Sequence, residues 1–275
     1  MTAEFKHGYA AVDDGVKLHY VEVGQGPLVV LLHGFPEFWF SWRHQLPALA
    51  RAGFRAVAPD MRGYNLSDKP RDVNAYRTSV LARDVGRLLD ALKAERASVI
   101  GHDWGGAIAW TFAVRYPERL DRLVILNAPH PATFLKALKK PDQLRRSWYM
   151  FFFQLPWLPE AALRAGNFMA VRRELPQAEY VQALRQPGAL TATINYYRAM
   201  FRRPVRTIRL ASHSKIEAPV LIIWGQRDKY LGPRLAVPDP TLVPNARVER
   251  LDASHWVQLD QPDRVNALLL EFLKG

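Results

Sequence analysis

The chain has 275 residues, 49% hydrophobic and 23% charged, with no cysteine and a formal charge of +12. That length fits one large, well-buried domain or a core with an insertion, and the lack of cysteine excludes disulfides and thiolate chemistry. No apolar run of about 18 residues exists, so no membrane span is expected. The start, Met1 to Tyr9, carries Glu4, Lys6 and His7 and does not read as a signal peptide. A cytoplasmic location is therefore the default expectation. The charge is uneven: His130 to His213 holds 14 Lys/Arg against 4 Asp/Glu, and the rest holds 24 against 22. With no nucleic-acid-binding motif, a solvated basic face explains the excess better than a nucleic-acid partner.

In chain order, Ala10 to Val12 and Lys17 to Val23 predict an antiparallel hairpin turned at Asp13-Asp14-Gly15. Leu28 to Leu32, Phe54 to Ala58, Ser98 to Ile100 and Leu123 to Leu126 are short apolar runs, read as buried strands. Between them Thr78 to Leu92, with Thr78 as a cap, and Ile108 to Val114 read as helices. From His130 to His213 the chain is rich in aromatics, arginine and proline, with helical periodicity and no clear strand. Pro219 to Trp224 and Arg247 to Leu251 resume the strands, and Val265 to Leu273 closes as an amphipathic helix. Alternating strands and helices predict an α/β fold with a mostly parallel sheet covered on both faces. Its core spans residues 1–129 and 214–275, interrupted by a helical insertion over 130–213.

Gly101-His102-Asp103-Trp104-Gly105-Gly106 lies between a buried strand and a helix. Small residues around a reactive one at such a turn make a nucleophile elbow, with Asp103 at its tip. The competing reading is that Asp103 merely caps the helix. The nucleophile type limits the chemistry. Serine attacking a saturated carbon would leave an ether that water does not readily cleave. A carboxylate leaves an ester, which can be hydrolysed at its carbonyl.

His33-Gly34-Phe35-Pro36 follows a strand and fits the loop that gives one amide to an oxyanion hole, from Phe35, with Trp104 supplying the second. Phe35, Pro36 and Trp104 would also line the substrate pocket. Of eight histidines, His255 lies after the last strand and before the last helix, where the general base of such a site belongs. His33, His102, His130 and His213 are expected to make local hydrogen bonds. Asp228, just after the strand ending at Trp224, is chosen as the acid that orients His255. Asn127 occupies the rival position, Asp252 is too near His255 in sequence, and Asp60 reads as structural.

At these residues the chain resembles the epoxide hydrolases of the α/β-hydrolase superfamily. The likeness covers nearly its whole length and includes His33-Gly34-Phe35-Pro36-Glu37, the elbow, and Trp224-Gly225-Gln226-Arg227-Asp228. It implies the α/β-hydrolase fold, with an eight-stranded sheet and an inserted helical cap. It also implies a small-molecule epoxide substrate, no cofactor and no metal, and a monomer or homodimer. In that family two lid tyrosines hold the epoxide oxygen and protonate the leaving alkoxide. Tyr149, before Phe153-Gln154, and Tyr197, in Asn195-Tyr196-Tyr197-Arg198, match them. Otherwise both would read as packing aromatics. Haloalkane and haloacetate dehalogenases and a non-catalytic binding protein on the same scaffold are the alternatives. The Phe35 loop and the tyrosine pair set the chain apart from the first. Trp104-Gly105-Gly106, where haloacetate dehalogenases carry arginines, sets it apart from the second, though the basic stretch 130–213 leaves an anionic substrate open. The complete triad pattern, Asp103, Asp228 and His255, argues against the third.

Overall fold

The computed structural model describes residues 5–202 and 214–275. Eight strands form one sheet in the order β1-β2-β4-β3-β5-β6-β7-β8. They are β1 (Lys6–Ala11), β2 (Lys17–Val23), β3 (Leu28–Leu32), β4 (Arg55–Pro59), β5 (Ala97–His102), β6 (Leu120–Leu126), β7 (Val220–Gly225) and β8 (Ala246–Leu251). β2 pairs antiparallel with β1 and β4, and every later pairing is parallel.

The predicted strands are present, with longer limits in β1, β5, β6 and β8. β1 begins four residues before the expected Ala10 because its Lys6-His7-Gly8-Tyr9 stretch is largely exposed at the sheet edge. Such a strand shows little apolar signal. Alternate residues of the central strands serve opposite faces. Val30, Leu32, Val99 and Ile125 pack into a cluster with Leu81, Val85, Leu88, Ile108 and Phe112. These last five belong to α2 (Thr78–Ala91) and α3 (Trp104–Arg115). Val29, Leu31, Ile100 and Val124 face the other way, onto Leu46, Leu49, Val265 and Leu268. Those come from α1 (Gln45–Arg51) and from the closing helix, Pro262–Lys274.

Two helix starts differ from expectation. Thr78 is already inside α2, and the extended residue before the helix is Arg77, whose carbonyl accepts the amides of Val80 and Leu81. α3 starts at Trp104 rather than Ile108, because Gly105 and Gly106, which look like turn residues, are accepted into its first turn.

Between β6 and β7 come α4 (Pro131–Ala137), α5 (Pro141–Arg146), α6 (Trp148–Phe152), α7 (Leu158–Glu174), α8 (Ala178–Arg185) and α9 (Ala189–Phe201). α7 is broken at residues 165–168, whose backbone leaves the helical region. Among the described residues no strand lies in this insertion, and no helix is long and apolar enough to cross a membrane.

Candidate active site

The turn from β5 into α3 sets the site. Asp103 sits between them at φ 50°, ψ −118°, a backbone state that costs a non-glycine residue on the order of 1–3 kcal/mol and is found where a site demands it. Its side chain makes no cap bond to α3, which removes the capping alternative. Instead the Phe35 amide donates to Asp103 Oδ1 at 2.8 Å. Close approach of the two loops requires Gly34, since a methyl there would run into the Asp103 side chain. Trp104, the first residue of α3, is buried with its ring 5.0 Å from that of Tyr197.

His255 joins the cluster from the loop after β8. Its Nδ1 lies 2.7 Å from Asp228 Oδ2 and its Nε2 3.6 Å from Asp103 Oδ2. Burial opposes a charge on this ring. The Asp228 and Asp103 carboxylates outweigh that and lift it from 6.5 to about 10. Burial likewise disfavours ionised Asp228, yet the His255 charge and its hydrogen bonds hold the carboxyl below its ordinary value. The Tyr230 and Leu231 amides donate to Asp228 Oδ1 at 2.7 and 2.9 Å. Asn127 donates to Asp228 Oδ2 at 2.7 Å and accepts from the Gly225 amide. The rival acid position therefore holds a brace for Asp228.

The other candidates divide. Asp60 accepts from His19, Trp39 and Asn65, a structural role, and Asp252 pairs with Arg227 on the surface. His33 bonds locally to the Gly34 carbonyl, but its Nε2 also accepts the amide of Met61, 28 residues away. His130 packs against Trp110, and His213 lies outside the described residues.

The expectation of a merely local bond is corrected for His102. Its Nδ1 lies 2.6 Å from Glu37 Oε2, and its Nε2 2.9 Å from the His255 carbonyl. Glu37 also accepts from Gln258 and from the Gly34 amide. Burial resists the Glu37 charge, but the His102 beside it keeps the carboxyl below the usual range. This buried pair ties the loop after β3 to the loop carrying His255. Glu37 and His102 both stand in the quoted motifs, but their pairing across 65 residues has no local signal.

Tyr149, on α6, and Tyr197, on α9, face each other with ring centroids 5.8 Å apart. Gln154 donates to the carbonyls of Met150 and Tyr197. Arg198, paired with Glu160, donates to the carbonyls of Phe153 and Leu155. The residues flanking the tyrosines thus fasten α6 to α9. Tyr196 points elsewhere and donates to the Arg62 carbonyl at 2.7 Å. Burial, then the charge of Asp103, push both Tyr149 and Tyr197 well above the ordinary phenol value, so both keep their protons.

Phe35, Pro36, Asp103, Tyr149, Tyr197 and His255 open into one cavity of about 300 Å³; Trp104, expected in its wall, is not among the lining residues, and its ring packs edge-on against Tyr197 instead. Aromatic and aliphatic side chains, Trp148, Phe152, Leu163 and Trp256 among them, make most of its remaining wall. Tyr230, not foreseen from the sequence, also lines it, with its ring 5.4 Å from His255. No lysine or arginine lines it among the described residues. Nor do the described residues hold a cluster of three His, Cys, Asp or Glu fit for a metal.

The α/β hydrolase fold family model matches residues 27–262. A Bacillus subtilis protein described as the AB hydrolase superfamily protein YfhM is 41% identical, over 95% of this chain and 96% of its own length. Epoxide hydrolase 4 of Mus musculus is 40% identical, over 98% of this chain and 79% of its own. Among solved structures, a mutant epoxide hydrolase from Bacillus megaterium, complexed with its naphthyloxy-propanediol product, gives a TM-score of 0.89 at 34% identity. It covers 98% of this chain and 100% of that one. The chain belongs to the α/β-hydrolase fold family. Within that family it stands with the epoxide hydrolases, and it is a hydrolase.

Proposed function

We propose that the protein hydrolyses an epoxide to a vicinal diol through a covalent ester on Asp103. The observation that carries this reading is one apolar cavity holding a carboxylate nucleophile, a carboxylate-supported histidine and two protonated tyrosines. Phe35 holds Asp103 Oδ1, which leaves Oδ2 to attack an epoxide carbon. That carbon–oxygen bond breaks, and the departing oxygen takes a proton from Tyr197 or Tyr149. Such an oxygen leaves as a strong base, so the donor is required. His255 then takes a proton from water, which attacks the carbonyl carbon of the ester. Charge develops on the former Oδ1, where the amides of Phe35 and Trp104 stabilise it. Collapse releases the diol, with the His255 proton returned to its oxygen, and the proton left on the regenerated Asp103 carboxyl restores the tyrosine. Water and epoxide balance the diol, and no cofactor takes part. The same reading divides the chain into a core, residues 1–129 and 214–275, and a lid, 130–213, that brings both tyrosines.

The test is turnover in isotopically labelled water followed by peptide mass analysis. Label should enter the Asp103 carboxylate, and the diol of a single turnover should carry none. An unlabelled Asp103 after many turnovers would exclude the ester.

A further inference from the structure

The loop that carries Asp228 is held from two sides. On the core side, Asn127 and the loop's own amides at Tyr230 and Leu231 hold the carboxylate. The backbone groups of residues 228–232 that this leaves over need partners, and a buried amide or carbonyl without one is costly. The partners come from α5, in the insertion. Gln143, only 3% exposed, donates from Nε2 to the Tyr230 carbonyl at 2.8 Å and accepts the Gly232 amide on Oε1 at 3.1 Å. Its Nε2 also donates to Ser147 Oγ at 3.0 Å, which fixes the side chain on its own helix. Arg146 donates from Nη1 to the carbonyls of Asp228 and Lys229, both at 3.1 Å. One short helix thus ties four backbone groups of a five-residue loop.

We infer that Gln143, assisted by Arg146, is a positioning residue for Asp228, so that the inserted helices set the acid that orients His255. The inference rests on the reading of Asp228 as the triad acid. Releasing α5 frees the carbonyls of Asp228, Lys229 and Tyr230 and the Gly232 amide. The turn that feeds two amides to Asp228 Oδ1 then loses its outer support. Asp228 Oδ2 sits 2.7 Å from His255 Nδ1, and Tyr230 packs on the same ring, so a shift of the loop reaches the base directly. Attack by Asp103 does not use Asp228. Only the water step does, so productive ester hydrolysis depends on α5 being seated.

The test compares wild type with Gln143→Met, close in volume but unable to make these bonds, and with Arg146→Ala at an exposed position. Two readouts separate positioning from general damage. In substrate-free protein, the His255 ring titration followed by NMR should move downward by about one unit or more in Gln143→Met, because the supporting charge of Asp228 has shifted. Arg146→Ala should move it the same way by less. In single-turnover kinetics with styrene oxide, ester formation should stay within about twofold while its hydrolysis slows about tenfold, so that ester accumulates. An unmoved titration in both variants, or an equal fall in both steps, overturns the inference. If Gln143→Met does not fold, Arg146→Ala decides. If wild type itself forms no ester, the hydrolytic reading of the site fails, and the titration alone decides the positioning role.

Discussion

His255 lies between two carboxylates, and its affinity for a proton depends on both. At rest Asp228 and Asp103 together raise it to about 10. In the proposed mechanism, alkylation turns Asp103 into a neutral ester and removes one of those supports. The histidine then holds its proton less tightly, at the stage when a base is needed. The sign is set by the direction of the shift: hydrolysis requires the neutral ring and so rises with pH, and its midpoint should lie below the titration midpoint of the resting ring. Equal midpoints would contradict this coupling. His255→Gln should still alkylate and then accumulate ester, visible as a mass adduct on the Asp103 peptide; an inactive variant without adduct would remove His255 from the second step. The proposed mechanism assigns Tyr197 to the first step. It is buried, protonated, and held among Phe35, Trp104, Phe153 and Tyr149. Tyr197→Phe keeps that packing and deletes the donor. Ester formation should fall by roughly 10²-fold, the scale of a lost general acid, with hydrolysis of preformed ester unchanged. Unaltered alkylation kinetics would leave Tyr197 as packing alone.

The β5–α3 element positions Asp103, the proposed nucleophile, and its tightness can be tested without touching a reacting group. A methyl on Gly105 would strike the Leu32 carbonyl, a backbone atom of the neighbouring β3. Relief requires α3 to back away from the sheet, carrying Trp104 and the amide beside Asp103 with it. Gly105→Ala should therefore lower stability by about 1–3 kcal/mol, read by denaturant unfolding, and should slow both chemical steps. A variant of wild-type stability and rate would show that the elbow has slack. This tightness was legible in the sequence because small residues around Asp103 have no other purpose at a strand end. The buried strands were legible for a similar reason, as short apolar runs ending at the site. Residues that act across the chain were harder. Glu37 and His102 were visible, but their pairing needs β3 and β5 to lie side by side. Asn127 showed as an absent acid rather than as the brace it is. The insertion gave helical periodicity without boundaries, because its helices are short and its aromatics serve the cavity as well as the packing. Gln143 carried no signal at all, since its partners are backbone groups more than 80 residues away.

At the scale of the whole molecule, charge and cavity point in different directions. Most of the net charge of +12 falls in residues 130–213, which on sequence grounds left an anionic substrate open. Yet no lysine or arginine opens into the cavity among the described residues, and its acidic lining residues are Asp103 and Glu174. Lys229, which pairs with Glu174 at 3.0 Å, lies on the surface, its side chain 68% exposed. An anion entering this space would meet no lysine or arginine, and the one cationic ring in the wall, His255, is already held between Asp228 and Asp103. The basic surface is screened beyond roughly 10 Å at ordinary ionic strength, so it raises the local concentration of an anion without helping it reach Asp103. A neutral epoxide with an aromatic or aliphatic body fits the walls and is indifferent to that surface. In a panel of styrene oxide, an aliphatic epoxide, a haloalkane and fluoroacetate, diol should form from the epoxides and no fluoride from fluoroacetate. For the epoxides, kcat/KM should change by less than about twofold between low and high salt, because no charged encounter is involved. Fluoride release, or a steep salt dependence with a neutral epoxide, would mean that the basic insertion takes part in substrate capture and that the cavity does not choose the substrate alone.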